Sequence, residues 1–281
     1  HSGVFHWGHT RHVPLSQSLD EAIQPLLASP GSTAVLLDVD GTLAPIVRDA
    51  RDASVPVPTR SLMITMTRMY NVVAAVSGRQ AEDARRVVAA GGLSYVGGHG
   101  SEILLPGESE ATIDPSLTDW TEPVQDAASE AVRELSNLGV RREDKGAISA
   151  IHWRGTPDEA ACERALRAIA TRVEDSGLVA HWGRKVLEIR PPSPFDKGLG
   201  IRNLLKGRPV RQAIYIGDDL TDIDAFNALA EMDASGELQH IVRIGVNSPE
   251  TPSELVAAAD FMVNGIDGVV EVLEALAEGK A

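Results

Sequence analysis

A single cysteine, Cys162, stands in a chain of 281 residues. That excludes an internal disulfide framework and a cysteine-rich zinc site. It lies in "DEAACERALRAIATRV", a stretch of helical periodicity, so a structural thiol is expected. No apolar run approaches the length of a bilayer span, and no membrane partner is expected. Basic residues are scarce against acidic ones: 26 Lys and Arg face 40 Asp and Glu, a formal net charge of -14. An evenly acidic chain matches phosphate backbones poorly, which argues against nucleic acid as a partner. A small anionic substrate is still allowed, because a metal ion or a few local cations reverse the field in one cleft. Internal repeats and low-complexity tracts are absent as well. What remains, with 43% hydrophobic and 23% charged residues, reads as an ordinary soluble protein, expected to be cytoplasmic and monomeric. The opening "HSGVFHWGHTRH" has little periodicity and is assigned no function.

The length suggests one large or two smaller domains. "LSQSLDEAIQPLLASP" reads as an amphipathic lead-in helix, and residues 1–30 form an extension. A pattern then recurs: a short apolar run, a small-residue turn, a helical segment. "STAVLLDVD", "NVVAAVSGR", "LSYVGGHG", "RQAIYIGDD", "HIVRIGVN" and "DFMVNG" are its strands. Apolar runs alternating with helices predict an α/β fold, a doubly wound parallel sheet covered on both faces. The middle differs. Residues 110–189 read as two helices, "TDWTEPVQDAASEAVRELSNL" and "PDEAACERALRAIATRVEDSG", with strands "AISAIHWRG", "LVAHWG" and "KVLEIRP". That predicts an α+β unit inserted between a first core part, 31–109, and a second, 190–281.

The chemistry gathers at strand ends. Asp38 and Asp40 are two apart and start on one side of the first strand. Ligands of open α/β sheets bind at the carboxyl ends of strands. Two carboxylates there suit a hard cation such as Mg²⁺, although Asp-Gly is also a common solvated turn. "YIGDDLTDID" ends another strand with Asp218, Asp219, Asp222 and Asp224. A helix cap explains one of these acids, not four. Asp218 and Asp222 share a face if a helix begins there. Ser77 and Gln80 fit a capping box, and the same geometry presents Ser77 and the Gly78 backbone to an anion. Lys197, in "SPFDKGLGIRNLL", opposes the dipole of the helix it opens unless an anion lies beside it.

An aspartate pair, a serine, a lysine and a distal acidic cluster, in that order, resemble the haloacid dehalogenase superfamily of phosphotransferases. Asp38-x-Asp40-Gly-Thr-Leu is similar to its first motif, Ser77 to the second, Lys197 to the third, and Gly217-Asp218-Asp219-x-x-Asp222 to the fourth. The resemblance implies that Asp38 is the nucleophile and forms an aspartyl-phosphate. Asp40 would protonate the leaving oxygen and then deprotonate water. Ser77, Gly78 and Lys197 would hold the phosphoryl group. Asp38, Asp40, Asp218, Asp219 and Asp222 would hold or support Mg²⁺.

The insertion would be a cap over the site, which implies a small-molecule substrate. "DVDGTLAPI", "VSGR", "GGHGSEI", "KGAISAIHWRG", "KVLEIRP", "DKG" and "GDDLTDIDAF" resemble the trehalose-6-phosphate phosphatases. That resemblance implies a sugar phosphate substrate. Lys145 and Glu188 of the cap, with Arg79, His99 and Glu102 of the core, would bind its hydroxyls. Glu188 has a bland alternative, an ion pair with Arg190 or Lys185. The rival activities are a phosphatase for sucrose 6-phosphate or a glycosyl-phosphoglycerate, or a hexose phosphomutase. A phospho-accepting receiver module also uses clustered aspartates and a lysine, but it has no place for Asp40 or for an insertion of this size.

Overall fold

The computed structural model describes residues 16–47, 52–183 and 185–279. The opening segment discussed above lies outside the described residues. The lead-in helix α1 (Gln17–Ala28) begins where Ser16 accepts a hydrogen bond from the Leu19 N–H, and it buries Leu19, Ile23, Leu26 and Leu27. That spacing of three and four is one helical face. Then come β1 (Thr33–Asp38), α2 (Val57–Met66), β2 (Val72–Val76), α3 (Ala81–Val88), β3 (Ser94–Gly97), β4 (Glu102–Leu104) and β5 (Thr112–Ile113). The inserted part holds α4 (Pro115–Glu134), β6 (Arg141–Lys145), β7 (Ile148–His152), α5 (Glu159–Asp175), β8 (Val179–Gly183) and β9 (Val186–Arg190). The chain returns through α6 (Lys197–Leu205), β10 (Gln212–Gly217), α7 (Asp222–Ala234), β11 (His240–Asn247), α8 (Ser253–Ala258), β12 (Phe261–Asn264) and α9 (Gly265–Glu278).

The large sheet runs β12-β11-β10-β1-β2-β3-β4-β5. It is parallel as far as β3; β4 and β5 add an antiparallel edge. Every residue of β1 and β2 is buried, as strands covered on both faces must be. Successive residues serve opposite layers. Val35, Leu37, Ile214 and Ile216 pack under α1, α2, α3 and α9, whereas Ala34, Leu36, Ala213 and Tyr215 pack under α6, α7 and α8. Truncating one such residue, Leu37→Ala, costs about 2–5 kcal/mol.

The second sheet is antiparallel, in the order β6-β7-β9-β8. One face packs on α4 and α5 through Ile151, Leu187, Ile189, Leu166 and Ile169, with Cys162 in the same apolar cluster. The structural-thiol expectation fits that burial. The other face carries Glu143, Lys145, His152 and Glu188, and it looks toward the large sheet: the Lys145 carbonyl comes up to Gly98, and Gly146 lies against Glu102.

Four elements differ from the sequence reading. Strand β6 is "RREDK", which has no apolar alternation to betray it, because it is an edge strand with largely exposed side chains. Helix α2 starts after Pro56 and carries Pro58 in its first turn, in a stretch to which the sequence reading assigns no element. Strands β4 and β5 are too short to carry a period.

Candidate active site

Asp38 closes β1 in register with Val76 of β2, so Ser77 lies one residue beyond it on the next strand. Asp218 follows the end of β10 on the other side. Three adjacent strand ends thus present Asp38, Ser77 and Asp218 together. Gly41 makes the turn after Asp40 with φ +90°, and a Cβ there would come within 2.1 Å of Asp218 Oδ2. Only glycine allows that backbone both the angle and the approach.

Lys197 opens α6 and is 3% exposed. Its Nζ donates to Asp38 Oδ1 and to Asp222 Oδ1, each at 2.7 Å. Those two carboxylates are the anions that a lysine at a helix N-terminus required. Asp222 is the first residue of α7, so Asp218 precedes the helix and does not share a helical face with it, contrary to the sequence expectation. The two meet otherwise: Asp222 Oδ2 accepts from the backbone N–H groups of Asp218 and Asp219, at 2.8 and 3.0 Å. Its Oδ1 also accepts from the Tyr215 hydroxyl at 2.6 Å. Four donors saturate this carboxylate.

Asp38, Asp218 and Asp222 each offer an oxygen within 4.8 Å of the others. Asp38 Oδ2 and Asp218 Oδ1 are buried with no hydrogen-bond partner. Burial pushes the Asp38 carboxyl well above the usual carboxylate range despite Lys197, and burial with the charges of Asp222 and Asp219 pushes Asp218 up to about 7. Orphaned, crowded carboxylate oxygens fit a hard divalent cation. The Asp40 and Asp219 carboxylates have partners of their own. Asp40 receives a two-point ion pair from Arg79, Nε to Oδ2 at 2.7 Å and Nη2 to Oδ1 at 2.6 Å. Asp219 Oδ1 accepts from the Thr221 N–H and hydroxyl at 2.8 and 2.7 Å. A cleft of about 370 Å³ opens onto Asp40, Arg79, Asp218 and Asp219.

Ser77 is buried, and its Oγ accepts from the Arg79 N–H at 3.1 Å. It does not head a capping box: α3 starts at Ala81, and the Gln80 side chain makes no cap. Glu102 takes that place. Its Oε1 accepts the Ala81 N–H at 2.6 Å, and burial raises its carboxyl to about 7. The His99 ring packs so closely on Gly78 that a Cβ there would meet it at 2.6 Å. Burial drives the His99 imidazole down to about 4, so it is neutral at pH 7. Lys145, Glu188 and Arg190 of the inserted sheet are near enough to His99 to act on its charge. Glu188 accepts from Lys145 Nζ at 3.1 Å and Arg190 Nε at 3.0 Å. Burial works against its charge, but these cations hold it at about 2. The Arg190 pairing is the bland alternative, and it coexists with Lys145.

Sequence reasoning missed Tyr215 and Glu143. Tyr215 was detectable as the one hydroxyl inside an otherwise apolar strand. Glu143 alternates with Lys145 on one face of β6 and binds His152 Nε2 at 2.8 Å, but no apolar alternation in "RREDK" marks that strand.

The family model described as trehalose-phosphatase matches residues 36–259, which takes in every carboxylate above. The chain belongs to the trehalose-phosphatase family. A trehalose-phosphate phosphatase of Mycobacterium marinum is 33% identical over 235 residues, 78% of this chain and 57% of that protein. A trehalose 6-phosphate phosphatase of Zea mays is 30% identical over 278 residues, 92% of this chain and 73% of that one. A Mycobacterium tuberculosis protein named as an uncharacterized glycosyl hydrolase is 34% identical over 206 residues, only 15% of its length. The chain therefore spans a minor part of some curated relatives and about half of others. Among solved structures, the C-terminal domain of the Candida albicans trehalose-6-phosphate phosphatase superposes with a TM-score of 0.71 at 20% identity, covering 95% of this chain and 99% of that one. That likeness is one of fold. No described helix is long and apolar enough to cross a membrane.

Proposed function

We propose that the chain is a Mg²⁺-dependent phosphatase that hydrolyses trehalose 6-phosphate to trehalose and phosphate. The observation that carries the chemistry is the state of Asp38. Its Oδ1 is anchored by Lys197, and its Oδ2 is buried without a partner at a strand end. In this reading Asp38 attacks phosphorus, an O–P bond forms, and the bond from phosphorus to the sugar oxygen breaks. Asp40, oriented by Arg79, gives a proton to the leaving oxygen and later takes one from the water that cleaves the aspartyl-phosphate. Lys197, Ser77 and the Gly78 backbone hold phosphoryl oxygens. Asp38 and Asp218 would hold Mg²⁺, with Asp222 behind them. Bound there, the ion supplies charge neutralisation for the carboxylates and the phosphoryl group.

The substrate reading rests on family membership and on the inserted sheet. Its face toward the core carries Lys145, Glu188 and Arg190, which together with neutral His99 suit many sugar hydroxyls and no large apolar group. Phosphate release from trehalose 6-phosphate, sucrose 6-phosphate, a glycosyl-phosphoglycerate and glucose 6-phosphate, with and without Mg²⁺, tests it. Trehalose 6-phosphate left intact while another ester is cleaved overturns the substrate; phosphate moved between hexose positions marks a mutase. Asp38→Asn abolishes turnover in a folded protein, and retained activity overturns the nucleophile.

A further inference from the structure

We propose that the Tyr215 hydroxyl is a positioning group for phosphoryl transfer: it fixes the Asp222 carboxylate, which in turn seats Lys197 Nζ on Asp38. The proposal rests on the phosphatase reading of this site. Strand β10 carries Tyr215 in register with Leu36 of β1, and its side chain enters the layer of α6 and α7. The ring is fully buried and meets Phe226 edge-on, with centroids 5.8 Å apart at 89°. Apolar packing alone asks only for a ring; the hydroxyl needs a partner. It finds Asp222 Oδ1 at 2.6 Å, the same oxygen that Lys197 Nζ approaches at 2.7 Å. Lys197 comes from α6 and Asp222 from α7. One phenol thus braces the junction of two helix starts against the sheet.

The division of Asp222 makes the consequence specific. Backbone N–H groups hold Oδ2, so the carboxylate cannot turn to compensate on the Oδ1 side. With the hydroxyl present, Oδ1 divides its charge between two donors. Without it, Oδ1 is left with the lysine alone, and a buried carboxylate short of one donor binds its cation more tightly. The ammonium then shifts toward Asp222 and away from Asp38, where the phosphoryl group reacts. Binding of substrate hydroxyls by the inserted sheet is untouched.

The test compares Tyr215→Phe with Phe226→Leu, a packing control in the same apolar layer, in the full chain with Mg²⁺. The ester is whichever phosphomonoester the wild type hydrolyses fastest. The expected result is a fall in kcat of about tenfold or more for Tyr215→Phe with KM nearly unchanged, while Phe226→Leu melts lower yet keeps kcat within about twofold. If Tyr215→Phe keeps its kcat, or if both variants lose kcat in proportion to their melting temperatures, the proposal is overturned. A crystal structure of Tyr215→Phe reads the same point without turnover. Lys197 Nζ displaced from Asp38 Oδ1 supports it, and an unmoved ammonium overturns it. A wild type inactive on trehalose 6-phosphate removes the substrate reading and leaves both measurements intact.

Discussion

Replacing Lys197 by methionine keeps an apolar stem and deletes the ammonium that joins two buried carboxylates. Burial disfavours that cation, but Asp222 and Asp38 more than reverse the effect and hold the amine above its ordinary value, so it is charged across the working range. Its Nζ bonds both partners at 2.7 Å. Asp222 retains its other three donors, from Tyr215, Asp218 and Asp219. Asp38 Oδ1 loses its lysine, and Oδ2 has no partner to offset the loss. Removing one member of a buried pair costs about 3–5 kcal/mol. Urea unfolding at neutral pH in EDTA should therefore show Lys197→Met less stable by that amount. Mg²⁺ should return part of it, about 2.7 kcal/mol at a hundred times its Kd, by neutralising Asp38 and Asp218. Phosphate release should stay low, because the second task proposed for the lysine is at the phosphoryl oxygens. A loss in EDTA below about 1 kcal/mol, the worth of an exposed pair, would refute the buried-counterion argument. Turnover restored by Mg²⁺ alone would refute the second task.

Two further predictions use different parts of the molecule. The folded Glu102 carboxyl keeps its proton up to about 7 and the unfolded one only to its ordinary 4.5, so the stability it contributes is present below 4.5 and is lost as pH rises through 7. Glu102→Gln, which still offers Ala81 an acceptor, should match the wild type at low pH and exceed it near pH 8 by about 3–4 kcal/mol, at about 1.4 kcal/mol per unit; parallel stability curves in urea would count against it. Lys145→Ala leaves Glu188 paired with Arg190, so the fold should hold while KM for trehalose 6-phosphate rises about tenfold and p-nitrophenyl phosphate kinetics stay unchanged. Equal losses on both esters would show that Lys145 does not read the sugar.

The parallel strands were legible because burial on both faces leaves nothing but apolar runs, as in "TAVLLD" and "VVAAV". The same logic hides β6. At the edge of the inserted sheet its five residues need no apolar face, so "RREDK" carries no period, and with it Glu143 was lost. Capping failed for a related reason. Ser77 and Gln80 satisfy a local rule, but the N–H of Ala81 goes to Glu102, a residue on β4 that only the folded sheet brings near. Local rules describe neighbours in sequence, and here the stronger acceptor came from a distance.

The aspartates pose the same problem in electrical form. Their spacing announced a cluster, but not how its charges are divided. Asp40 is matched by Arg79, and Asp222 by Lys197 with three further donors. Lys197 also reaches Asp38, yet one ammonium cannot cancel two carboxylates. Asp218 has no cation within ion-pair distance among the described residues, and burial pushes its carboxyl up to about 7. Counting Asp38, Asp218 and Asp222 against Lys197 leaves two negative charges in excess when all are ionised. A monovalent ion would leave one uncompensated in a buried site, and a third lysine or arginine would fill the space that the phosphoryl group needs. A divalent cation between Asp38 and Asp218 balances the count and leaves room for the reaction. The charge ledger of the side chains, more than the motif that first drew attention to them, is what argues for a divalent cation at this strand end.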